Sequence, residues 1–305
     1  MTETTLAAVC MNVVHDKKAN LEKYFHFIHE ASECKARLLV FPEVSLQGYL
    51  KKRGAPGEPE VIEMTRYLRK TAETIPGPTT EKIQELAARH NMYIQVGMAE
   101  SARAGQVFYN TAVLIGPEGV VGKFRKLHDR GEWPVFCSGD EFPLLETGLG
   151  RMGMLVCYDM CFPETVRTYA VQGAIIASMS TAWPLKDPKS QDPQRDYHAY
   201  VYDTFTRAHA LFNQMFFLSS NQVGPTGNFN YYGHSRIIGP TGKVLADSGP
   251  EEKLITATVD IDHEIDIART ETLYYKNLLR DRRPETYTSL LETDGPPETI
   301  KGSLE

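Results

Sequence analysis

Two segments far apart in the chain spell nearly the same turn. Val113-Leu114-Ile115-Gly116-Pro117-Glu118-Gly119-Val120-Val121 and Arg236-Ile237-Ile238-Gly239-Pro240-Thr241-Gly242-Lys243-Val244 each run apolar strand, Gly-Pro-x-Gly, strand. Proline presets one φ of a tight turn and glycine accepts the unusual ones, so each segment predicts a β-hairpin. A second pair matches likewise. Leu38-Leu39-Val40-Phe41-Pro42-Glu43 and Gly153-Met154-Leu155-Val156-Cys157 are apolar runs that each end at a reactive side chain. The matches divide the chain into two similar halves, roughly residues 1–125 and 145–260, each a strand–helix–strand–helix layer closed by a hairpin. No flexible linker separates them, so one domain is expected over residues 1–262. A tail, 263–305, follows and ends in Gly295-Pro296-Pro297 and polar residues, with a tip expected to be disordered.

Short apolar runs alternate with helical periodicity, which predicts an α/β protein. Strands are expected at Leu6 to Val14, Arg37 to Phe41, Met92 to Met98, Thr111 to Ile115 and Val120 to Phe124. An amphipathic helix is expected over Ala19 to Lys35, with Leu21, Tyr24, Phe25 and Ile28 on one stripe. Others are expected over Val61 to Thr71 and Thr79 to His90, the second capped by Thr79 or Thr80.

Composition narrows the function class. Of 305 residues, 42% are hydrophobic and 24% charged, an ordinary globular balance with ample core. The formal net charge is −6, without the basic stripe of a nucleic-acid binder. No apolar run reaches the roughly 18 residues of a membrane span. The start, Met1-Thr2-Glu3-Thr4-Thr5, lacks the basic and apolar regions of a secretory signal. Five cysteines, an odd number without a CxxC pair, argue against a disulfide framework and against structural zinc. A reducing cytoplasm is the expected location.

Three segments carry chemistry. Cys157 stands where an apolar strand should end, just before a turn and the helix start Pro163-Glu164. A thiol attacks a carbonyl carbon only as thiolate, so it needs a base or cation nearby and something to hold the oxyanion. Glu43 ends another apolar strand, where a carboxylate is expensive unless partnered. Lys126 lies just past Val120 to Phe124. Strand ends are where open α/β architectures build sites. Taken singly, each residue has a plainer reading: a small buried hydrophobe for Cys157, a local backbone cap for Glu43, a solvated lysine for Lys126.

Together the three segments resemble the nitrilase, or carbon–nitrogen hydrolase, superfamily. The matching motifs are Phe41-Pro42-Glu43, then Gly122-Lys123-Phe124-Arg125-Lys126-Leu127-His128, then Gly153 to Asp159 with Phe162-Pro163-Glu164. Further matches are Gly77-Pro78, Tyr109-Asn110-Thr111, Ser138-Gly139-Asp140, Ser220 to Gly224, Gly233-His234-Ser235 and Asp281-Arg282-Arg283. The resemblance runs from about Ala7 to Tyr287. It implies a four-layer α-β-β-α sandwich with Glu43, Lys126 and Cys157 as a Glu-Lys-Cys triad. It also implies association through outer helices into homodimers or larger assemblies, with the tail contributing contacts. Glu132 matches an auxiliary glutamate, though Ser138 stands where that loop usually has proline. In the implied mechanism Glu43 takes the Cys157 proton, and Lys126 with the Tyr158 backbone N–H holds the oxyanion. Water then hydrolyses a thioester. His128 has a loop-positioning role and Asp159 bonds backbone beside the nucleophile. Tyr49, Trp133, Tyr158 and Trp183 are candidate pocket walls, with plain packing aromatics as the alternative. No metal or cofactor is expected.

Cys157-Tyr158-Asp159 is similar to the amidase and carbamoylase branches, since nitrilases proper read Cys-Trp-Glu. Hydrolysis of a small linear amide or N-carbamoyl compound with ammonia release is therefore expected. N-carbamoyl-D-amino-acid hydrolases carry arginines at the third and fourth positions after the cysteine, where this chain has Met160 and Cys161. The alternatives are a nitrilase acting on a small nitrile, or a glutaminase-like ammonia donor to a separate synthetase, since the chain ends too soon to carry one.

Overall fold

The computed structural model describes residues 3–51, 55, 57–128, 132, 135–190, 192–272 and 275–291. The first half runs β1 (Glu3–Cys10), α1 (Lys17–Glu33), β2 (Ala36–Val40), α2 (Pro59–Thr71), α3 (Pro78–His90), β3 (Tyr93–Ala102), β4 (Val107–Gly116) and β5 (Gly119–Arg125). The second runs β6 (Leu145–Thr147), β7 (Gly150–Val156), α4 (Pro163–Val171), β8 (Ile176–Thr181), α5 (Tyr197–Asn213) and β9 (Phe216–Asn221). It continues with a ribbon, β10 (Val223–Thr226) and β11 (Phe229–Tyr232), then β12 (Arg236–Ile238), β13 (Val244–Asp247), β14 (Lys253–Asp260) and α6 (Ile261–Thr270).

Two six-stranded sheets result, ordered β14-β1-β2-β3-β4-β5 and β6-β7-β8-β9-β12-β13. Both repeat one plan: three parallel strands, two antiparallel strands on one flank and one on the other. Both expected hairpins are present, β4–β5 and β12–β13. The halves are not self-contained, however. β14 belongs to the second half by sequence but pairs antiparallel with β1 along its full length.

Strand alternation sets the layers. In β4, Ala112 and Leu114 face the core between the sheets, while Val113 and Ile115 face α1 and α3. Val166 and Tyr169 of α4 and Tyr202 of α5 pack on the second sheet. Helices outside two facing sheets give the α-β-β-α sandwich. Element ends differ from expectation by up to four residues: β1 stops at Cys10 rather than Val14, β3 runs on to Ala102 and β4 starts at Val107. On α1 the buried stripe is Asn20, Tyr24, Phe27, Ile28 and Ala31, and Phe25 is exposed, one position off it. The α3 cap is Gly77, not Thr79 or Thr80; Pro78 takes the first helical position, and the Thr80 hydroxyl accepts the Gly77 N–H at 2.8 Å.

Candidate active site

The ends of β2, β5, β7 and β8 meet at one edge of the sandwich. Glu43 arrives there from β2 on the turn Phe41-Pro42-Glu43, fully buried. Its N–H donates to the Thr181 carbonyl at 3.3 Å, and its own carbonyl accepts from Gln222 Nε2 at 2.8 Å. β3 passes so close that a Cβ on Gly97 would lie 2.0 Å from the Pro42 carbonyl oxygen, so only glycine fits. Glu43 Oε1 accepts from Lys126 Nζ at 2.8 Å and Asn110 Nδ2 at 2.7 Å, and Oε2 accepts from the Ala182 N–H at 2.9 Å.

Lys126 extends the β4–β5 ladder by one bond, its N–H donating to the Asn110 carbonyl at 2.9 Å. Phe124, two residues earlier on the same face, lies in the inter-sheet core, so Lys126 points inward as well. Its ammonium binds Glu132 Oε1 as well as Glu43, and lies 5.6 Å from the Tyr49 ring centre. Glu132 is buried and accepts from the Tyr49 hydroxyl at 2.7 Å and from Asn110 Nδ2 at 3.1 Å.

Cys157 follows β7 directly, lies in the left-handed region at φ +48°, and opens a single 3₁₀ turn, Cys157–Cys161, ahead of α4. A non-glycine residue held there is strained, as is common at functional sites. Asp159 braces the turn. Its Oδ2 accepts from the Val156 N–H at 3.1 Å; its Oδ1 accepts from the His128 N–H at 3.0 Å and lies 2.7 Å from His128 Nδ1. His128 stacks on Phe162 at 3.6 Å between ring centres, so the loop after Lys126 is tied to the cysteine turn.

The electrostatics follow from burial with too few cations. Burial pushes the Cys157 thiol well above the ordinary cysteine range; the Glu43 charge adds to this and Lys126 only partly offsets it. Cys157 therefore rests as a thiol and needs a base. Burial also raises the Glu43 carboxyl, opposed by Lys126 and reinforced by Glu132. Burial alone would lower the Lys126 ammonium, but Glu132 and Glu43 outweigh it and hold Lys126 well above the usual lysine range.

Glu43, Lys126 and Glu132 are thus in direct contact, and Glu43 and Lys126 both act electrostatically on Cys157. The expected pocket walls are more varied. Tyr49 is buried beneath Lys126 and holds Glu132. Tyr158 is half-buried, edge-on to Phe162. Trp183 packs beside Tyr202 and His198, with its indole N–H donating to the His198 carbonyl at 2.8 Å. Trp133 lies outside the described residues. The ribbon β10–β11 sits alongside: Tyr232 N–H donates to Trp183 O at 3.0 Å, and Asn228 N–H to Lys51 O at 2.9 Å. In the sequence Asn110 stands out only as part of a matching motif, and nothing there marks the Ala182 N–H. Among the described residues no group of three or more His, Cys, Asp or Glu is placed to hold a metal ion.

The sequence profile of the carbon–nitrogen hydrolase family matches residues 5–269. A probable nitrilase of Schizosaccharomyces pombe, C965.09, is 32% identical over 285 residues, covering 91% of this chain and 94% of that one. Omega-amidase NIT2 of Homo sapiens is 26% identical, covering 94% and 98%. Among solved structures, Nit3 of Saccharomyces cerevisiae superposes with a TM-score of 0.75 at 23% identity, over 90% of this chain and 96% of that one. An amidase from Nesterenkonia sp. does so at 0.70 and 22%, over 94% and 96%.

Proposed function

Because the chain belongs to the carbon–nitrogen hydrolase family, we propose that it hydrolyses a small linear amide or N-carbamoyl compound and releases ammonia through a Cys157 thioester. The observation that carries this reading is a buried thiol delivered to the same sheet edge as a buried carboxylate–ammonium pair, with Lys126 Nζ 2.8 Å from Glu43 Oε1. Glu43 takes the thiol proton as sulfur attacks the carbonyl carbon. Lys126 and the Tyr158 N–H stabilise the oxygen that becomes negative. Glu43 returns the proton to nitrogen as the C–N bond breaks, and ammonia leaves. Glu43 then takes a proton from water as it attacks the thioester, and the thiol re-forms. Glu132 holds the lysine between two carboxylates. Tyr49, Tyr158 and Trp183 frame the acyl group in this reading.

The relatives support the class from both sides. Omega-amidases favour the amide reading. Two relatives at 32% identity are named nitrilases, which keeps nitrile hydrolysis as the second reading. Residues 1–262 are read as one domain because β14 completes the first sheet, with the rest a tail for subunit contacts. Tyr197, Tyr200 and Phe212 on α5 and Val171 on α4 are exposed large apolar side chains, which supports a homodimer through these outer helices. No described helix is long and apolar enough to cross a membrane; a cytoplasmic location is proposed from the cysteine content.

The test is ammonia release from a panel of primary amides, N-carbamoyl compounds and nitriles. Release from amides or carbamoyl compounds that vanishes in Cys157→Ala supports the reading. Turnover of nitriles alone would replace it with the second. Activity surviving in Cys157→Ala would remove the proposed nucleophile.

A further inference from the structure

Asn110 lies in β4 directly across the ladder from Lys126, whose N–H its carbonyl accepts. The two side chains therefore share a face and a level. The Asn110 amide nitrogen carries two protons, and the site presents two carboxylates to it. Glu43 Oε1 is 2.7 Å away and Glu132 Oε2 is 3.1 Å away. Asn110 is only 1% exposed, and its Oδ1 has no hydrogen-bond partner among the described residues. The orientation of a buried amide follows from what faces it. Turned over, its oxygen would meet two carboxylates. An amide that gives both protons to the acids and leaves its oxygen unpaired is arranged for acids that are charged.

The charge count explains why such a group is needed. Two buried carboxylates share one ammonium, so one negative charge is in excess. Two acids in that position default to sharing a proton. A proton held between Glu43 and Glu132 would occupy the base before it could act. We propose that Asn110 is a positioning residue for the hydrolysis, giving one amide proton to each carboxylate so that both stay ionised around the single Lys126 ammonium. The proposal rests on the reading of Glu43 as the base for Cys157. The titratable groups facing the pair are Lys126 from the end of β5, Tyr49 from the loop after β2 and Cys157 from the turn after β7. From the end of β8 comes only the Ala182 backbone N–H. Of these groups Lys126 and Asn110 favour the charged form of Glu43, against burial and Glu132.

The experiment reads thiolate formation directly and needs no identified substrate. Iodoacetamide alkylates Cys157 as the sulfur attacks its methylene carbon and iodide leaves, and the rate is followed against pH by mass spectrometry of the Cys157 peptide. The proteins are the parent chain, Asn110→Asp, Asn110→Ser and Glu43→Gln, each checked for folding by circular dichroism. Asn110→Asp keeps the shape but replaces two donors with a third carboxyl. Its acid limb is expected to move at least one pH unit upward, a tenfold slower reaction on that limb, with the rate recovered at higher pH. Asn110→Ser, keeping one donor, is expected to fall between, and it carries the test if the aspartate variant does not fold. Acid limbs that coincide with the parent's, with any loss uniform across pH, would overturn the role of Asn110. An acid limb in Glu43→Gln that coincides with the parent's in both pH and rate would instead overturn the reading of Glu43 as base.

Discussion

The β4–β5 hairpin carries two buried carboxylate–cation clusters on opposite faces, and they differ in sign. On the outer face, Glu100 accepts from Lys123 Nζ at 2.6 Å, Arg125 Nε at 2.9 Å, Arg125 Nη2 at 2.7 Å and Thr111 Oγ1 at 2.8 Å. One carboxylate meets two cations. Burial would raise it, but these bonds outweigh burial and hold it below the ordinary range. On the inner face, two carboxylates meet one cation, and Glu43 is pushed up. The same residue types, one strand position apart, make a satisfied brace on one face and a group short of compensating charge on the other. Reactivity follows the imbalance rather than the presence of charge.

The largest expected effect breaks the comparison by chemistry. Glu43→Gln should lower turnover by about 10³-fold, within the usual range for losing a general base, while Glu100→Gln should stay within a few-fold of the parent in the ammonia assay. Comparable losses in both would mean that the outer cluster is part of the catalytic machinery.

Next comes stability. Removing the Glu100 charge leaves Lys123 and Arg125 facing each other on a partly covered surface. Breaking a fully buried pair costs about 3–5 kcal/mol; since both cations are partly solvated, about 2 kcal/mol is expected, read as a lower midpoint in urea. The pH dependence has a definite sign. The Glu100 pKa is depressed by folding, so its contribution is complete above its unfolded value near 4.5 and fades as pH falls through the lower folded value. Glu100→Gln should therefore lose less stability in acid than at neutral pH.

A smaller effect tests the inner cluster. Glu132 helps to raise Glu43, so Glu132→Gln should move the acid limb of kcat/KM to lower pH. An upward move would contradict the charge count.

The smallest effect inverts the stability result. Folding raises Glu43, so its contribution is complete below its unfolded value near 4.5 and is lost as pH rises through the higher folded value. At neutral pH a neutral isostere should relieve that cost. Glu43→Gln is expected to stabilise the fold by about 1 kcal/mol, a thermal midpoint a degree or two higher. A midpoint that falls as it does in Glu100→Gln would erase the distinction between the faces.

Much of this was legible because strand ends and strand alternation are local. The apolar runs ending at Glu43 and Cys157 marked two of the meeting edges, and Lys126 followed from its place after β5. Parity would have gone further. In Asn110-Thr111-Ala112-Val113-Leu114 the even positions face the other sheet, which puts Asn110 with Lys126 and puts Thr111 with Lys123 and Arg125. What stayed hidden is nonlocal. Nothing in the β14 sequence says which of two sheets it joins, because both offer an open edge to an apolar strand. The left-handed Cys157 backbone is announced by no residue preference, and the tie between its turn and the loop after Lys126 runs through Asp159 to His128, 31 residues away in sequence. Nor does an aromatic side chain such as Tyr49 declare whether its ring or its hydroxyl will be used.

The central claim, that Cys157 carries the acyl group of an amide after its nitrogen has left, is tested most directly by intact-protein mass spectrometry. The protein would be mixed with a primary amide that releases ammonia in the panel, then quenched in acid during turnover. The account predicts a mass gain equal to the amide less ammonia, mapped to the Cys157 peptide and absent in Cys157→Ala. Ammonia released in the same samples from Cys157 that stays unmodified at every quench time, with an adduct elsewhere or a Cys157→Ala protein that still turns over, would contradict it.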